Sequence, residues 1–229
     1  MAFKPSFNPE KGTIKVMVRL SYFKGFEKTK SFESGALKYR TNGLIDPSTE
    51  EGKASVKVIN EAIRHLCGSE WPGKELANLK EAMGDGPKGR WPLFDGNKYV
   101  TDDGDVRDGY EGMRYLRLTN DRKPKYKNRR GEDIDIEDEG EDLFRSGYYA
   151  IAYFHLYAIK AKDKGGNGIF TTLDALQYFK KGEEFAGGGI DDDEIDNLGD
   201  DEDDDLDDKP SKPNKGKSRP SIDSDDDDI

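Results

Sequence analysis

One cysteine, Cys67, and two histidines, His65 and His155, are all the thiol and imidazole chemistry present in 229 residues. A single cysteine excludes an internal disulfide and a cysteine-built zinc site, and it fits a reducing compartment. Two histidines give no basis for a Ser-His-Asp relay or a histidine metal centre. His65 lies beside a helical stripe without a metal partner at suitable spacing, so it reads as a surface residue. Long apolar runs are also missing. No stretch approaches the roughly 18 residues that suggest a membrane span, and the opening MAFKPSFNPE lacks a signal-peptide core. These absences predict a soluble intracellular protein with no membrane contact and no cofactor.

Charge is plentiful and uneven. The formal net charge is -11. Residues 190–229 hold 18 acids and 5 bases, which leaves 30 acids and 32 bases in residues 1–189. A slightly basic body therefore carries a strongly acidic appendage, and such asymmetry points to an interaction tail. The body is long enough for one substantial core. The tail is low in complexity, cannot bury a core, and is expected to be disordered.

The body opens with an extended arm over residues 1–12. Ile14, Val16, Val18 and Leu20 then alternate with Lys15, Met17 and Arg19, the period of a strand with one buried face. Residues 21–33 mix Tyr22, Phe23 and Phe26 with Lys24 and Lys28 and read as a loop or irregular hairpin. Residues 37–41 form a short strand with Lys38 and Arg40 outward. DPSTEE at 46–51 starts a helix, with acids where the helix dipole favours them. Val56, Ile59, Ile63 and Leu66 give that helix its stripe, and Cys67 and Gly68 end it. A second short helix spans 74–83, so the helical insertion covers about 50–83. Residues 93–100 turn at Asp95-Gly96 into a short strand. Residues 113–119 alternate again, with Leu116 and Leu118 on one face and Tyr115 and Arg117 on the other. Residues 121–142 read as a long connection. The strongest strand spans 148–160. It has Ala150, Ala152, Phe154, Leu156 and Ala158 on one face, and Tyr149, Tyr153, His155 and Tyr157 on the other. A last strand or helical turn covers 173–179.

Residues 113–130 carry Arg114, Arg117, Arg122, Lys123, Lys125, Lys127, Arg129 and Arg130 against one acid, Asp121, with Tyr115 and Tyr126 interleaved. The cations can meet phosphates and the rings can stack on bases, a pattern of single-stranded nucleic-acid binding. Tyr149, Tyr153 and Tyr157 extend the expected stacking platform, with ordinary core packing as the alternative. The polyanionic tail would compete for the same groove. Its tip, Asp225, Asp226, Asp227, Asp228 and Ile229, would dock a partner. Other motifs fail on spacing. Gly84, Gly86 and Gly89 match a dinucleotide loop literally but follow a helix, and Pro92 breaks the helix that should come next. Asp103, Asp105 and Asp108 resemble a calcium loop, but Asp108 stands where its glycine belongs. A magnesium nuclease built on Asp102, Asp103 and Asp105, and an adaptor that merely displays the acidic tail, are the alternative readings.

FRSGYYAIAYFHLYAIKAKDKGGNGIFTTLDALQYFKKGEEF at 144–185, WPLFDGNKY with the later LTNDRKPKY, and the acidic end together resemble phage-encoded single-stranded DNA-binding proteins. That resemblance implies a mainly β fold with a helical insertion: an OB-fold barrel over 1–189 and a disordered acidic tail over 190–229. It implies sequence-independent coating of displaced strands in DNA replication and recombination, in the cytosol of the infected host, without catalysis. Partners would be single-stranded DNA and, through the tail, replication or recombination proteins. Family members often end in an aromatic residue, whereas this chain ends in Ile229.

Overall fold

The computed structural model describes residues 3–30, 35–160 and 166–185. Its spine is β2 (Thr13–Thr29). The alternation in its first half places Ile14, Val16, Val18 and Leu20 at 0–1% exposure. That half pairs with β7 (Tyr149–Ile159), and the second half pairs with β3 (Lys38–Ile45). The aromatic stretch after residue 20 is thus strand, where a loop or hairpin was expected. Tertiary packing decides this. Phe23 and Phe26 turn against Phe144 and Tyr126, at centroid distances of 4.9–6.5 Å within the cluster. Such aromatic contacts add roughly 0.5–1.5 kcal/mol each beyond burial.

Among the described residues one sheet holds all eight strands in the order β4-β5-β3-β2-β7-β8-β6, with β1 (Ser6–Asn8) on the start of β2. The remaining members are β4 (Leu93–Asp95), β5 (Arg114–Asn120), β6 (Lys125–Lys127) and β8 (Gly168–Lys180). Every pairing is antiparallel except β6 with β8. The sheet curls until β5 comes back beside β8. There the Thr171 hydroxyl donates to the Arg117 carbonyl, and Asn120 Nδ2 donates to the Leu173 carbonyl at 2.6 Å. The expected barrel is therefore an open one. Side chains bridge the seam where a backbone ladder would close it, consistent with the partly open character of OB-type barrels. Leu116, Leu118, Ala150, Ala152, Phe154, Leu173 and Leu176 fill its interior.

The helical insertion sits where the sequence places it. α1 (Glu50–Glu70) is capped by Thr49, whose Oγ1 accepts the Gly52 amide at 3.0 Å. It buries Ile59, Ala62, Ile63 and Cys67. It runs through Gly68, where the sequence suggested a stop. Its end is held from outside: Glu70 pairs with Lys160 at 2.8 Å, and buried Trp71 donates to Asn167 at 3.3 Å. α2 (Leu76–Met83) buries Leu79 and Met83. The long connection expected over 121–142 contains β6 and α3 (Ile136–Leu143), the latter capped by Asp135. The acidic tail lies outside the described residues.

Candidate nucleic-acid interface

A groove of about 610 Å³ lies on the outer face where β2, β3 and β5 run side by side. Register aligns Lys24 with Arg40 and Arg40 with Thr119, and aligns Asn42 with Arg117. Residues two apart share a face, so Arg40 and Asn42, like Arg117 and Thr119, project away from Leu116 and Leu118. Pro87 and Lys88 form one wall, and Tyr22 and Tyr99 rim the groove. Four cations line it: Lys24, Arg40, Lys88 and Arg117. Among the described residues no carboxylate does. A low-dielectric cleft lined by one sign of charge focuses its field on an incoming polyanion.

Tyr22 is the residue placed at greatest cost. Its φ is 47°, and it sits where the β2–β3 register slips between Ser21 and Lys24. A bulge re-aims a side chain, and holding a non-glycine residue there costs of order 1–3 kcal/mol. The result is a ring that stays 49% exposed at the groove. Tyr99 and Tyr110 support it at 6.2 and 6.3 Å. Arg107 donates to the Tyr22 hydroxyl at 3.4 Å, and its guanidinium stands 5.0 Å from the Tyr99 ring. That hydrogen bond pushes the Arg107 pKa further up, so the rim carries a fixed positive charge.

The cationic floor and wall are also fixed. Arg117 lies 4.3 Å over Phe94 and donates to the Pro87 carbonyl. Arg40 donates to Thr29 at 2.7 Å. The wall loop is pinned by Asp85, which is 8% exposed and meets Lys98 at 2.5 Å and Lys80 at 3.0 Å. Burial alone would raise the Asp85 pKa, but the two ammonium groups prevail and hold its carboxyl below the usual range.

The basic segment is divided by the fold. Arg117 reaches the groove. Arg114 pairs instead with Asp95 at 2.9 Å. Lys125 is exposed at the start of β6, and Arg122, Lys123 and Arg130 are exposed on the turns around it. Lys127 pairs with Asp133 at 2.7 Å and holds that carboxyl below its ordinary pKa. Arg129 stacks 5.5 Å over Phe179. Tyr149, Tyr153 and Tyr157 lie on the outer face of β7, against Lys180, Gln177 and Phe170 respectively, and do not line the groove.

Two expected stacking residues are corrected outright. Tyr115 is 0% exposed and Tyr126 is 4% exposed, so neither ring can meet a base. Tyr115 points to the groove side, as its alternation implies, but Phe94, Tyr99 and Tyr110 cover it at 5.0–5.6 Å. Tyr126 turns inward and donates to the Gly25 carbonyl. Burial raises both phenol pKa values. The tip residues Asp225, Asp226, Asp227, Asp228 and Ile229 lie outside the described residues.

The family model of the single-stranded DNA-binding protein of Enterobacter phage Enc34 matches residues 12–206. The chain belongs to that family. A putative protein, p50, of Acyrthosiphon pisum secondary endosymbiont phage 1 is 30% identical over 184 residues, covering 79% of this chain and 90% of its own. The solved Enc34 protein in complex with single-stranded DNA has a similar fold, with TM-score 0.60 at 21% identity over 77% of this chain and 90% of that one. Its C-terminal truncation gives TM-score 0.60 at 20% identity, covering 81% and 99%.

In this member of the Enc34 family, sequence reasoning missed Tyr22, Lys24, Lys88 and Tyr99 as groove residues, and Arg107 as their neighbour. Arg40 was legible as outward-facing but not as part of a site. The usable signal was the outward alternation of Arg40 and Asn42 on β3, in step with Arg117 and Thr119 on β5. Among the described residues, no three His, Cys, Asp or Glu side chains converge as a metal site. The acids Asp102, Asp103 and Asp105 lie in an exposed loop.

Proposed function

We propose that this chain holds single-stranded DNA in the groove over β2, β3 and β5 with little sequence preference, and that it coats displaced strands in phage replication and recombination without catalysing a reaction. The observation that carries this reading is four cations without a carboxylate, rimmed by Tyr22 and Tyr99, in a member of a single-stranded DNA-binding family. Lys24, Arg40, Lys88 and Arg117 contact phosphates. Tyr22 offers a face on which a base stacks, worth about 1–3 kcal/mol per base, and Tyr99, held between Arg107 and Tyr115, supports it. The groove offers mainly charge and ring faces, which suits binding that tolerates any sequence.

The body over 1–189 binds the strand, and the acidic tail over 190–229 competes with it. The tip ending in Ile229 recruits replication or recombination proteins in the cytosol of the infected host. Titration of a fluorescent oligothymidylate tests the groove. Affinity should fall with salt at a slope near -0.7 per neutralised phosphate, and Arg40→Glu with Arg117→Glu should flatten that slope. Removing residues 190–229 should tighten binding. Unchanged affinity in the double variant refutes the groove assignment.

A further inference from the structure

A different stretch of the outer face, over the first half of β2 with β7 and β8, carries cations that have rings beside them. Lys15 Nζ stands 5.4 Å from the Phe3 ring and 5.6 Å from the Tyr153 ring. Arg129 stands 5.5 Å over Phe179, and Lys180 stands 4.6 Å over Tyr149. Phe3 and Phe179 meet edge to face at 6.5 Å, which joins these pairs into one patch. Among the described residues, neither Lys15, Arg129 nor Lys180 has a carboxylate partner. Of the neighbouring acids, Asp133 pairs with Lys127 at 2.7 Å and Asp174 meets His155 at 3.0 Å, while Asp46 and Glu51 line the hollow beside Tyr149 and Lys180.

Two properties of the patch identify its ligand. First, a cation over a ring is held in place without being neutralised, and such contacts are worth only about 0.5–1 kcal/mol when exposed. The charge stays available to an anion, while the ring face beneath it is closed to a base. The patch therefore suits phosphates and not bases. Second, one row across it ends in a cation on each side. Register carries one row from Lys15 through Tyr153 and Ala175 to Lys125, across four strands. That row spans about 14 Å at roughly 4.8 Å per strand. It continues into the exposed basic turn, because Gln177 donates to the Arg129 carbonyl at 3.2 Å. Lys15 and Lys125 at the two ends of that row, with Arg129 and Lys180 to its sides, suit separate phosphates of one extended strand.

We propose that this face is a second nucleic-acid contact, which takes the phosphate backbone of a further single-stranded segment without stacking its bases. It shares no residue with the groove, so one protomer holds two segments at once.

The test is the stoichiometry of the full chain with short oligothymidylates at low salt, measured by native mass spectrometry. The oligomers should have about 8 nucleotides, within the span that one OB fold covers. Two should bind per protomer. Lys15→Glu, Arg129→Glu and Lys180→Glu together should leave one. Lys15→Gln with Lys180→Gln, a milder change should the triple variant not fold, should weaken the second event at least several-fold. An oligomer of the same length without bases should retain, at unchanged affinity, the binding event that the triple variant loses. One oligothymidylate per native protomer, or two on the triple variant, overturns the proposal. Failure of the groove reading appears separately, as Arg40→Glu with Arg117→Glu still binding two.

Discussion

The groove and the β7–β8 face use the same residue types in opposite ways. In the groove, Arg40 and Arg117 are fixed by hydrogen bonds and stacking while their charges face open space, and the Tyr22 ring is 49% exposed. On β7–β8, cations cover the tyrosines: Lys180 stands 4.6 Å from Tyr149, and Lys15 stands 5.6 Å from Tyr153. Both faces come from alternating strands rich in basic and aromatic residues. What separates them is which partner each ring finds across the sheet. A ring that a bulge lifts clear can take a base. A ring beneath a lysine serves to hold the lysine.

The sharpest way to break this contrast is to remove the groove's charges. Arg40→Glu with Arg117→Glu should weaken single-stranded DNA binding on the order of 100-fold, about 2.7 kcal/mol, by fluorescence anisotropy. Tyr153→Ala should change it little in the same assay. Tyr22→Gly comes next. It should lose a stacking contribution of about 1–3 kcal/mol with an unchanged salt slope. Its thermal midpoint should rise, because glycine relieves the φ of 47°. Weaker binding from a more stable protein is the signature expected of a residue strained for function.

Asp85→Asn should act through the wall. Losing its ammonium partners should cost roughly 1.5–3 kcal/mol of stability, read by denaturant unfolding, with a smaller loss of DNA affinity. The pH dependence has a definite sign. The folded Asp85 carboxyl lies below its unfolded pKa. Its stabilisation is therefore complete above the unfolded value near 4 and disappears as pH falls through the folded one. The variant should lack that acid-side decline. The smallest effect belongs to Tyr115→Phe. Among the described residues the buried hydroxyl makes no well-formed hydrogen bond, with only Arg117 close by, so its removal should leave binding nearly unchanged and shift stability by less than about 1 kcal/mol.

Much of the scaffold was legible from periodicity. The two alternating runs that became β2 and β7, and the α1 stripe of Ile59 and Ile63, each state which face is buried. The strand after residue 20 was not legible, because Phe23 and Phe26 owe their burial to Phe144, more than a hundred residues away. β6 is a three-residue strand whose ladder partner is the distant β8, and no local pattern specifies such a pairing. The site was half legible for a related reason. Alternation correctly sends Tyr115 and Arg117 to one side of β5, but it cannot reveal that Tyr99 and Tyr110 cover the first and leave the second open. The basic run looked like one surface because sequence proximity was taken for spatial proximity, and the fold distributes it over β5, β6 and the turns between them.

The unladdered seam between β5 and β8 has a mechanical meaning. Its direct bridges are the Thr171 and Asn120 side-chain bonds, each worth about 0.5–1.5 kcal/mol net. The wall is consequently most compliant along the strand that carries Arg117. The barrel can therefore widen or narrow at this seam while the paired strands keep their register.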